Sequence, residues 1–193
     1  MIMKTKNSLK CAMIALMVFT FSMNVSAQTK AERKALKNEV KDMKKDGWKV
    51  NPGYLTLEEQ IVEGKKILKN QDQWVIGEAK TTGNVYDAVR SNALFEAKKN
   101  IVSNFLKMAG KMKGGDGVDQ GSENSASATR YRDAAQAKFI GEIRRPRYLM
   151  DCFRELEGGK VEVNIRLAIP WNEAEKSYND IMKELKEMLD NEQ

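Results

Sequence analysis

Two adjacent glycines, Gly158-Gly159, separate two runs of alternating character, Arg147–Glu157 and Lys160–Ile169. A glycine pair supplies the positive φ that a tight two-residue turn needs, so this stretch predicts an antiparallel hairpin. Pairing the runs about the glycines sets Leu156 opposite Val161, Cys152 opposite Ile165, Met150 opposite Leu167 and Tyr148 opposite Ile169, with Val163 on the same face. On the other face Asp151 meets Arg166, and Glu157 meets Lys160 at the turn. Apolar side chains face apolar ones and charges face opposite charges, as cross-strand neighbours require. Arg154 opposite Val163 is the one poor fit.

The rest of the chain supplies one more strand and several helices. Gln73–Lys80 reads as a strand bounded by polar residues and by Thr81-Thr82-Gly83. From about Val85 to Lys111, apolar residues recur at three- and four-residue spacing through Tyr86, Val89, Ala93, Ala97, Ile101, Phe105, Met108 and Met112, which is the helical period. Ala93 and Ala97 are small enough to let a sheet or a helix approach closely. Helices are also expected over Lys30–Lys45, ended by Gly47, and after Thr56, where Glu59 completes a capping box. Two more cover Ala126–Ile140 and the stretch from Trp171 through Leu189. The glycine- and serine-rich residues 113–127 read as a connection. The predicted fold is α+β: a three-stranded antiparallel sheet packed by a long alanine-spaced helix and further helices.

The N-terminus predicts where the chain goes. Lys4, Lys6 and Lys10 precede the apolar run Cys11–Phe21, and Val25-Ser26-Ala27 places small residues where a signal peptidase cuts. This is the layout of a secretory signal peptide, and the apolar run is too short for a permanent membrane span. Lys10 before Cys11, with the apolar run after it, is not a lipid-attachment arrangement. The domain reading is therefore 1–27 signal peptide, 28–70 N-terminal helical segment, 71–170 α+β domain with the 113–127 loop, and 171–193 C-terminal amphipathic helix. The processed chain is expected in the periplasm or at the cell surface.

Composition excludes whole classes of chemistry. The chain has no histidine, which removes the commonest general base and zinc ligand. Past the signal segment Cys152 is the only cysteine, so neither an internal disulfide nor a thiolate-rich metal site can form. No phosphate-cradling glycine motif is present. The chain carries 33 basic and 27 acidic side chains, a net charge of +6, and three of the lysines lie in the signal segment. So small a surplus does not point to nucleic acid. No cofactor and no metal are expected.

A strand containing Trp74-Val75-Ile76-Gly77, then a helix through Ala88, Ala93 and Ala97, a polar insertion, another helix and a hairpin form an order of parts that resembles the LPP20-like family of bacterial envelope proteins. That family also includes a domain of flagellar assembly proteins. The chain is similar, too, to small exported proteins common in Bacteroidetes, with Asp46-Gly47-Trp48-Lys49 and Pro52-Gly53 ahead of the domain. The resemblance covers roughly residues 74–169. It implies an antiparallel sheet with helices on one face and carries no catalytic residues. The missing lipid-attachment motif departs from the lipoprotein members.

Candidate residues follow. Arg144, Arg145 and Arg147 form the densest basic cluster, suited to an acidic partner or a lipid headgroup, or else to a solvated strand entrance blunted by charge and proline. Trp48, between a charged helix and a turn, is the tryptophan suited to a partner surface; Trp74 and Trp171 read as core. Asp116, Asp119 and Glu123 are spaced for a solvated loop rather than a calcium loop. Cys152 reads as a buried, inert thiol. The function expected is a non-catalytic envelope protein that binds or assembles with another envelope component or with itself. Peripheral membrane contact is compatible with this; a membrane span after processing is not. One alternative is a small-molecule or lipid carrier lined by Met108, Met112, Met150, Met182 and Met188. Another is a carboxylate hydrolase built on Glu78 and Asp87.

Overall fold

The computed structural model describes residues 30–112 and 126–191. The expected signal segment, most of the glycine-rich connection and its three acids lie outside the described residues. The chain divides into two units, Met1–Lys37 and Asn38–Gln193. The described part of the first is the start of helix α1, Lys30–Lys45; all else below concerns the second.

Helix α1 closes at Gly47, φ 83°. The N–H of Trp48 donates to Met43 O at 3.0 Å and that of Gly47 to Lys44 O at 3.1 Å, which satisfies carbonyls that the helix end would leave bare. Helix α2, Leu57–Leu68, opens with the expected capping box: Glu59 N–H donates to Thr56 Oγ1, and Thr56 N–H donates to Glu59 Oε2 at 2.8 Å. A short 3₁₀ turn, Gln71–Gln73, leads into strand β1, Trp74–Gly83. Helix α3, Tyr86–Met112, and helix α4, Ala126–Glu142, precede strand β2, Arg147–Glu155, and strand β3, Val161–Pro170. Helix α5, Trp171–Asn191, follows directly, because Pro170 has no N–H to extend the sheet.

The sheet is antiparallel throughout, in the order β1-β3-β2. Val75, Val163, Ile165, Leu167 and Ile169 face α3, α4 and α5 and are buried with Ala93, Ala97, Ile101, Phe105 and Phe139. Phe105 is ringed by Phe139, Trp171 and Tyr178 at centroid distances of 4.8–5.5 Å. Each buried valine, isoleucine, leucine or phenylalanine among them contributes about 1.5–3 kcal/mol by leaving water. The close approach expected of the alanines occurs at Gly77, where a Cβ would stand 2.1 Å from Ala97 O.

Two expectations are corrected. Helices cover both faces of the sheet, since α2 packs Ile67 against Leu149 and Ala168 on the face away from α3. The hairpin register is also displaced by one residue: Cys152 pairs with Asn164, Asp151 with Ile165, Arg154 with Glu162, and Glu155 with Val161. The cause is the loop. Leu156 N–H donates to Lys160 O at 2.8 Å, so three residues rather than two turn the chain. A one-residue slip turns the β2 side chains from Met150 to Glu155 to the opposite face. A bulge between Tyr148 and Met150 shifts the pairing once more, to Tyr148 with Leu167.

Both sheet edges are partly covered. On β1, Asn104 and Asn100 of α3 donate to the alternate carbonyls of Ile76 (2.8 Å) and Glu78 (2.7 Å). On β2, Lys49 and Phe153 exchange backbone hydrogen bonds of 2.7 and 2.9 Å, and the Gln60 side chain bonds the backbone of Asp151. Bonds spent on neighbours are not open to a stray strand.

Candidate functional site

The structure divides the arginine cluster. Arg144 and Arg145, in the turn after α4, line a cavity of about 390 Å³ whose other walls are Phe139, Glu142, Ile143, Ile169, Glu173 and Ser177. Arg147, at the start of β2, lies over the Trp74 ring at 5.1 Å and pairs with Glu63 of α2 at 3.3 Å. The proline between them fixes the chain where it enters the edge strand, and the side chains part. Trp48 is only 9% exposed, with the Arg154 guanidinium 4.9 Å above its ring. It packs beneath the surface instead of presenting a face to a partner.

A second, larger cavity of about 570 Å³ lies along the outer side of α2, between Leu55, Thr56, Glu58, Glu59, Val62, Glu63 and Lys66. Leu55, Glu59, Val62 and Lys66 follow one another at steps of three or four residues, which gathers them on one stripe of the helix and the turn before it. Leu55, in its wall, is 49% exposed although it is large and apolar, and its chain neighbour Tyr54 is 48% exposed. The backbone N–H and hydroxyl of Thr56 hold the Glu59 carboxyl below the ordinary glutamate range, so it stays charged in mildly acidic surroundings. Sequence reasoning did not single out this groove. The available signal was Tyr54-Leu55, two bulky apolar residues set between a Pro-Gly turn and a helix cap.

The ionisable groups inside the molecule are engaged with one another. Asp151, 4% exposed, accepts from Arg90 Nη2 at 2.5 Å and from its Nε at 3.4 Å. That hydrogen bond raises the Arg90 pKa further above its ordinary value. Arg90 also lies 5.7 Å over the Tyr54 ring. Burial, more than any charge, pushes the Tyr86 hydroxyl up, while a hydrogen bond with Asn51 acts the other way. Glu78 faces away from α3 and accepts from both Nε and Nη2 of Arg166, at 2.9 and 2.7 Å. Asp87 is exposed in the first turn of α3. The Cys152 thiol is 1% exposed and pushed up to about 12, chiefly by burial and then by the charge of Asp151. Beside it Asn164 Oδ1 is buried with no hydrogen-bond partner.

The methionines do not share a lining. Met150 is buried in β2 opposite Arg166, Met182 packs at the margin of the core on α5, and Met188 is exposed. Neither of the two cavities has a methionine in its wall. Among the described residues no group of three or more cysteine, aspartate or glutamate side chains is placed to hold a metal ion. No helix among them is long and apolar enough to cross a membrane. Comparison with protein-family models, with curated proteins and with solved structures finds no match to this chain.

Proposed function

We propose that this chain is exported to the cell envelope and works there as a non-catalytic binding module, docking another envelope protein in the groove along α2. The observation that carries the reading is the exposed Leu55 in the wall of a groove that also holds Glu58, Glu59 and Glu63, the last paired with Lys66. Large apolar groups beside a cavity are what a partner's anchor side chain fills, and the surrounding charge selects which partner. The complementary surface is basic, with a central apolar residue. Arg147, paired to Glu63, stands at the end of this surface; Arg144, Arg145 and Trp48 stand apart from it.

Of the acids named for hydrolysis, Glu78 is engaged by Arg166, whose Nε and Nη2 both donate to its Oε2. The test is crosslinking of the full-length protein in intact envelopes, followed by purification. A defined protein should be captured by the wild type and lost from the Leu55→Asp and Glu58→Lys variants. The recovered chain should begin at Gln28. Capture that is indifferent to both substitutions overturns the groove assignment, and recovery of the unprocessed chain from the cytoplasm overturns export.

A further inference from the structure

We propose that the basic face of helix α1 holds the protein against the headgroups of an anionic phospholipid bilayer. This surface is separate from the groove along α2 and its occupant is a different one. The choice of lipid over nucleic acid rests on the export proposed above.

Helix α1 runs unbroken from Lys30 to Lys45. It carries three acids, Glu32, Glu39 and Asp42, and seven bases: Lys30, Arg33, Lys34, Lys37, Lys41 and the final pair Lys44-Lys45. The two signs do not mix. At about 100° per residue the seven bases fall within one sector of about 120°, and the acids fall on the opposite side. Leu36 and Val40, 5% and 8% exposed, lie on the stripe between.

A helix that merely faces water gains by interleaving opposite charges three and four places apart. Here, of the three acids, only Asp42 has a basic residue at such a distance, Lys45. Like charges stand four apart instead at Lys30 and Lys34, Arg33 and Lys37, Lys37 and Lys41, and Lys41 and Lys45. That spacing of like charges weakens a helix, and a surface of opposite sign relieves it. All seven bases are exposed, and none forms an ion pair with a described residue. On the opposite side Glu39 pairs with Lys65 of α2 at 2.5 Å. The helix is thus engaged through its acidic and apolar sides, with its basic face turned to solvent.

The make-up of this face selects the partner. Its sector holds no apolar or aromatic residue, so a protein partner finds no anchor there. Six of the seven cations are lysines, which protein interfaces deplete. A lysine ammonium is a point charge that asks no fixed geometry of its acceptor, which suits a fluid layer of phosphates. The row extends about 22 Å along the helix axis, enough to meet several headgroups at once. Leu36 and Val40 are buried and do not enter the bilayer, so attachment is by charge and weakens with salt. Nucleic acid offers phosphates as well, but an exported chain does not meet it.

Cosedimentation of the protein recovered from envelopes with lipid vesicles tests this. Binding is expected to vesicles of phosphatidylglycerol and phosphatidylcholine in equal parts, not to phosphatidylcholine alone, with a loss of about tenfold or more between about 0.1 and 0.5 M salt. Lys34→Gln, Lys37→Gln and Lys41→Gln together should weaken it about a hundredfold. Helicity by circular dichroism should not change, because glutamine forms helix about as well as lysine. A control of equal net charge replaces Lys107, Lys160 and Lys176, exposed lysines outside α1, by glutamine; it should lose less than about threefold. The proposal is overturned by equal loss in the two triple variants, by equal binding to phosphatidylcholine vesicles, or by indifference to salt. Binding of duplex DNA without binding of the anionic vesicles also overturns it. Leu55→Asp should leave vesicle binding unchanged, so failure here and failure of the α2 groove are told apart.

Discussion

Gln60 and Asp151 exchange two hydrogen bonds: Asp151 N–H donates to Gln60 Oε1 at 2.8 Å, and Gln60 Nε2 donates to Asp151 O at 3.3 Å. A side-chain amide on α2 thus does what a neighbouring strand would do for the edge of β2. The same Nε2 also reaches Leu55 O at 2.7 Å, tying the start of the groove to the sheet. Gln60→Leu leaves buried backbone groups without partners, at about 1–3 kcal/mol for each. Urea denaturation should show that loss, and sedimentation should show self-association of the uncovered edge. A variant within about 0.5 kcal/mol of wild type would contradict the role given to this amide.

Gly77 admits no side chain. A Cβ there would lie 2.1 Å from Ala97 O and 2.7 Å from Ile101 N, both backbone atoms of α3 that cannot step aside singly. At Gly83 the obstacle is Val89 Cγ2 at 2.7 Å, the end of a side chain. Gly77→Ala should therefore cost about 3 kcal/mol or more by forcing the helix off the strand, and Gly83→Ala clearly less. Denaturation midpoints of the two variants, measured side by side, check the order.

Arg90 and Asp151 join α3 to β2 across a buried interface. Removing one member of such a pair leaves a charge without compensation and costs about 3–5 kcal/mol. Arg90→Met should fall in that range. The double variant Arg90→Met with Asp151→Leu should recover much of the loss, because no buried charge then remains. Thermal unfolding of the three proteins decides it; a double variant as weak as the sum of two singles would refute the pairing.

Cys152 holds its proton in the folded state. An acid whose folded pKa lies above its unfolded one favours the native state while protonated, so stability falls as pH rises past the ordinary thiol value of 9.0 toward about 12. Cys152→Ala removes that dependence. The native thiol should resist a disulfide reagent at about pH 8 and react at once in denaturant; rapid native labelling would show that the site opens.

Much of the fold was legible because local chemistry and long-range packing agree. The capping box at Thr56, the glycine stop at Gly47 and the alanine stripe of α3 each specify their element from within a few residues. The hairpin register was not, since Gly158-Gly159 suits a two-residue turn and a three-residue one alike. The misfit of Arg154 against Val163 was the trace of the true register, in which Arg154 meets Glu162 at 2.5 Å. The buried acid Asp151 was hidden for the same reason, its partner Arg90 being distant in sequence. The arginine cluster was visible as composition, but its division between two sides of the molecule depends on how the chain turns at Pro146.

The most direct measurement places a photo-crosslinking amino acid at position 55 or at position 95 of the full-length protein in intact cells. Leu55 and Phe95 are both about half exposed, at 49% and 51%, yet only Leu55 lies at the groove. The account predicts a discrete crosslinked protein from position 55, abolished by Glu58→Lys, and none from position 95. The same product from both positions, or none from position 55, would contradict it.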